Sequence, residues 1–68
     1  MWIKARNVFV NLEGGASVRR DVSAIRLETE GRAVRIADYV NPGRAEEVMA
    51  EFWAAVKRGD RGYEFPEI

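Results

Sequence analysis

Residues 41–59, Asn-Pro-Gly-Arg-Ala-Glu-Glu-Val-Met-Ala-Glu-Phe-Trp-Ala-Ala-Val-Lys-Arg-Gly, hold a start signal, an apolar stripe and a stop signal for one helix. Asn41 can accept from the orphan amides of a first turn, and Pro42 suits the first helical position. Glu46 and Glu47 favour the positive end, Lys57 and Arg58 favour the negative end, and Gly59 can take the left-handed cap. The spacing predicts a helix over about 42–58. Everything before it must supply the surface that this helix covers.

Along the predicted helix Ala45, Val48, Met49, Phe52 and Val56 form one stripe, with Glu47, Glu51, Ala54 and Arg58 opposite. Trp53 falls on the shoulder of that stripe, about 80° from Ala45 around the axis. Its ring is too large to leave wet without losing stability, so it is expected against a sheet edge or a second copy.

Residues 2–5 and 8–12 read as two short strands separated by Arg6-Asn7, with Val8, Val10 and Leu12 on one face and Phe9 and Asn11 on the other. Glu13-Gly14-Gly15 breaks the pattern as a turn, and pairing can resume over 16–20. The clearest hairpin follows. Ile25, Leu27 and Thr29 alternate with Ala24, Arg26 and Glu28, Val34 and Ile36 alternate with Arg35 and Ala37, and Glu30-Gly31 lies between. A two-residue loop there sets Leu27 opposite Val34, Ile25 opposite Ile36 and Arg26 opposite Arg35. Asp38, Tyr39 and Val40 complete the second arm.

The fold class is therefore α+β: an antiparallel β-meander of three to four strands covered on one face by a single C-terminal helix, in one domain over residues 1–68. The tail 60–68 is expected to be extended. It alternates Tyr63 and Phe65 and then meets Pro66, which cannot continue a central strand.

A 68-residue chain buries only about 60% of the surface its unfolded form exposes, so its stability margin is thin. It contains no Cys and no His, which removes disulfides and makes a structural zinc site improbable. Self-association is the reinforcement left. With 47% hydrophobic and 10% aromatic residues in so small a chain, the expected state is a homodimer. The candidate contact residues are Trp2, Phe9, Trp53, Tyr63 and Phe65.

Catalytic chemistry finds few players. Hydroxyl nucleophiles are limited to Ser17, Ser23 and Thr29, none in a nucleophile elbow or a Ser-x-x-Lys frame. Glu46, Glu47 and Glu51 read as a solvated helix face rather than an acid pair or a magnesium site. Gly14-Gly15 fits no phosphate-binding loop. No catalytic residue, metal site or cofactor is expected, and the chain is read as not an enzyme.

The formal net charge is zero, with 11 basic and 11 acidic residues, which gives no overall footprint for nucleic acid or membrane. Residues 1–40 carry a net +2 and residues 41–68 a net −2. No apolar run nears the roughly 20 residues of a bilayer span, and the start Met-Trp-Ile-Lys-Ala-Arg shows no signal-peptide core, so a cytoplasmic setting without a membrane partner is expected. The leading expectation is a non-enzymatic interaction or assembly module whose sheet face, edge or tail contacts an unidentified protein. The alternative is RNA or single-stranded DNA binding through a basic sheet face, with Lys4, Arg26, Arg32 and Arg35 on phosphates and Trp2 stacking on a base.

Overall fold

The computed structural model describes residues 1–6, 8–12 and 16–67. Among these residues six strands and one helix follow in chain order: β1 (Trp2–Ala5), β2 (Val8–Asn11), β3 (Ser17–Asp21), β4 (Ala24–Thr29), β5 (Arg32–Asp38), α1 (Pro42–Arg58) and β6 (Gly62–Glu64). They build two three-stranded sheets, β2-β1-β6 and β3-β4-β5. The fold is α+β, as the residue pattern predicts, and the antiparallel meander is the β3-β4-β5 sheet. The expected turn residues Asn7, Gly14 and Gly15 lie outside the described residues.

The helix bounds agree with those read from the caps. Asn41 Oδ1 accepts from the Arg44 amide at 2.8 Å, and Gly59 sits at φ 77°, where its amide donates to the Val56 carbonyl at 3.1 Å. Two details differ. The first turn holds no acidic residue, because α1 starts at Pro42 and leaves Glu46 and Glu47 beyond the reach of the dipole's end. The buried side runs through Ala45, Val48, Phe52 and Ala55, while Val56 is 37% exposed. The stripe is thus rotated toward Ala55, a small side chain that lets the backbone approach its cover closely.

The Glu30-Gly31 loop has positive φ at both positions, 36° and 81°, which matches the right-handed twist of a tight hairpin. Arg26 faces Arg35 and Leu27 faces Val34, as expected. Ile25, however, faces Ala37 and not Ile36, because the register shifts between Ile25 and Arg26. In a regular ladder Ile36 and Asp38 would share a face. The extra residue lets Ile36 sink to 5% exposure while Asp38 stays outside, where Ser23 Oγ donates to it at 3.1 Å and Arg35 at 3.4 Å.

The tail provides the largest addition to the expected order. Residues 62–64 form a strand parallel to β1, with Trp2 beside Gly62, Ile3 beside Tyr63 and Lys4 beside Glu64. The Phe65 amide extends this pairing by donating to the Lys4 carbonyl at 2.8 Å. The end of the chain is thus tied to its beginning, on its own domain. The Tyr39 hydroxyl adds a second tie, donating to the Pro66 carbonyl at 2.9 Å. The core gathers Ile3 and Ala5 from β1, Ile25 and Leu27 from β4, Ile36, Tyr39, the Ala45–Val48–Phe52 side of the helix, and Phe65.

Candidate interaction surface

Strand β1 alternates cleanly: Ile3 and Ala5 are buried, so Trp2 and Lys4 point to the opposite face of the sheet. On β2, Phe9 stands opposite Lys4 and Asn11 opposite Trp2, which puts Phe9 and Trp2 diagonally across one surface. Their rings stack with centroids 5.6 Å apart and planes 19° from parallel. Trp2 is 38% exposed and Phe9 68%, so the outer face of this sheet presents an aromatic pair to solvent. Gly62 completes the face from β6, directly beneath the indole.

Trp53 stands on α1 at 58% exposure. The helix turns Ala55 rather than its Trp53 shoulder into the core. Tyr63 and Phe65, the other two expected contact residues, pack against the chain's own core. Phe65 is 2% exposed, stacked on Phe52 at 5.4 Å and edge-on to Tyr63 at 5.0 Å. Its surface is consumed within the chain. Tyr63 packs edge-on to Phe52 at 5.6 Å, and its hydroxyl donates to Glu51 Oε2 at 3.4 Å. Burial, followed by the Glu51 charge, pushes the Tyr63 phenol up to about 12. Parity along the tail could not tell an inward ring from an outward one, since the parallel partner β1 is sixty residues away in sequence.

The candidate basic set is divided between the two sheets. Trp2 and Lys4 belong to the β2-β1-β6 sheet, whereas Arg26, Arg32 and Arg35 belong to β3-β4-β5. On the latter, Arg19, Arg26 and Arg35 form one cross-strand row. Each has its own carboxylate: Arg19 meets Glu28 at 2.7 Å, Arg26 meets Asp21 at 2.8 Å and Arg35 meets Asp38 at 3.4 Å. Three cations and three anions leave that row locally neutral, with little excess field for phosphates.

Among the described residues no group of three or more His, Cys, Asp or Glu side chains is placed to hold a metal ion, and no buried side-chain nitrogen or oxygen lacks a hydrogen-bond partner. No helix among them is long and apolar enough to cross a membrane. No protein-family model, curated protein or solved structure matches this chain.

Proposed function

We propose that this chain is a small non-enzymatic interaction or assembly module that acts as a homodimer in the cytoplasm. The observation that carries the reading is the solvent-facing Trp2–Phe9 stack. Exposed aromatic pairs are costly to leave wet, and Trp is among the residues that contribute most when a protein contact desolvates them. Trp53 offers a further exposed ring on the helix. Sedimentation equilibrium at tens of micromolar, an order at which many dimers persist, tests this directly. The native chain should weigh as a dimer and the Trp2→Ser/Phe9→Ser variant as a monomer. A native chain that is monomeric there removes the dimer reading.

Single-stranded nucleic acid is the second reading, favoured by Lys4 standing on the same face as the Trp2–Phe9 platform. The ion-paired Arg26 and Arg35 weigh against it. A labelled oligonucleotide titrated at low salt separates the two: salt-dependent binding lost in Trp2→Ser/Lys4→Glu supports nucleic acid, and a flat titration eliminates it.

A further inference from the structure

We infer that the outer face of the β2-β1-β6 sheet packs on the same face of a second copy, about a two-fold axis that sets Lys4 of each copy against Glu64 of the other. This rests on the homodimer reading and adds to it the face, the symmetry and the charges that align the two copies.

Three strands give this face two rows. The register sets Phe9, Lys4 and Glu64 side by side across β2, β1 and β6, and Asn11, Trp2 and Gly62 side by side in the other row. All of these except Gly62 are exposed. The helix lies on the opposite side of the sheet, since Ile3 and Ala5 of β1 join Val48 and Phe52 of α1 in the core and Tyr63 of β6 packs edge-on to Phe52. The stacked Trp2 and Phe9 rings therefore remain turned to solvent.

Lys4 and Glu64 are the two charged side chains among the residues of these three strands, and both stand on this face. Arg6 leaves β1 at φ 52° and lines the groove toward β5 instead, and Asp60, ahead of β6, is held by Arg58 at 2.8 Å. An isologous contact lays a surface on itself, so a face of one sign would repel its copy. This one carries one charge of each sign, level with each other on adjacent strands. An axis running along the strands between β1 and β6 matches both at once: Lys4 meets Glu64 of the other copy, and Glu64 meets its Lys4. Sheets packed face to face stand about 10 Å apart, a gap that a lysine and a glutamate reaching from opposite sides can close.

Within one copy neither side chain has an ion-pair partner among the described residues. A pair between them in open water would contribute little. Between two faces that lose their water around the aromatic rings, opposed charges fix the register and exclude mismatched surfaces. The same neutrality gives a polyanion no net attraction to this face.

Charge reversal, read by sedimentation equilibrium at tens of micromolar, tests the arrangement. Lys4→Glu leaves the face with two acids and Glu64→Lys leaves it with two bases, so each variant alone should associate at least about tenfold more weakly than the native chain and sediment as a monomer. An equimolar mixture of the two should recover the dimer, because every acid then meets a base. A native dimer whose single variants both remain dimeric, or whose monomeric variants stay apart on mixing, overturns the proposal and leaves the homodimer reading standing. A native chain that is monomeric under these conditions removes both. If circular dichroism finds either variant unfolded, the native dimer decides the matter: its dissociation constant should rise severalfold between about 0.05 M and about 0.5 M salt, and a level response overturns the proposal.

Discussion

The benzo ring of the Trp2 indole occupies the space that any side chain at Gly62, its neighbour on the parallel strand, would need. A Cβ built at Gly62 collides with three ring atoms, so the ring must move or the strands must part. Gly62→Ala should therefore destabilise the domain by about 1–3 kcal/mol, the usual range for overpacking. Urea unfolding followed by tryptophan emission measures it. In a Trp2→Ala background the same change should be nearly silent, and an undiminished cost there would show that the strain lies in the backbone of Gly62.

Val22 occupies the two-residue turn between β3 and β4 at φ 57°, a left-handed conformation that β-branched residues strongly disfavour. It is also 66% exposed, so little packing offsets the strain. Val22→Asn, which tolerates that conformation, should stabilise by about 1 kcal/mol. A thermal midpoint that stays level or falls would mean the turn is not strained.

Phe65 and Trp53 make opposite predictions for the same kind of truncation. Phe65 is 2% exposed among Phe52, Tyr63 and Ile3. Removing its ring should cost about 3–5 kcal/mol. The whole domain holds only roughly 3–10 kcal/mol at 0.05–0.15 kcal/mol per residue, so Phe65→Ala should be largely unfolded. Trp53→Ala, at 58% exposure, should change the isolated domain's stability by at most about 1 kcal/mol. Circular dichroism of the two variants side by side decides the matter.

The raised phenol of Tyr63 gives a pH dependence with a fixed sign. Its proton is held more tightly in the folded state, up to about 12 against an ordinary 10.0, first by burial and then by Glu51. Tyr39 is shifted in the same direction, again mainly by burial. Above pH 10 the unfolded chain therefore holds fewer protons than the native one, and stability must fall as pH rises toward about 12. That contribution is fully present below pH 10. Tyr63→Phe should flatten the decline in unfolding midpoints across this window, and a slope identical to the native chain's would refute the assignment.

Local chemistry alone determined the helix and the central hairpin. Asn41, Pro42 and Gly59 act on amides and carbonyls within one turn of themselves, and Glu30-Gly31 fixes the register of the strands it joins, so these elements need no distant partner to be read. The outward placement of Trp2 and Phe9 was legible for the same reason, since a strand's alternation is a property of the strand itself.

What the tertiary structure decided is everything that depends on segments far apart in the chain. The pairing of residues 62–64 beside β1 joins the two ends of the sequence, and a three-residue stretch starting with Gly carries no local signal for it. That pairing turned Phe65 into the core. The extra residue at Ile36 likewise follows from which side chains the core could accept, not from hairpin length. Helix caps and tight turns are short-range contacts written in neighbouring residues, whereas parallel pairing, bulges and the side of a helix that is covered are settled only when separated surfaces meet and water leaves between them.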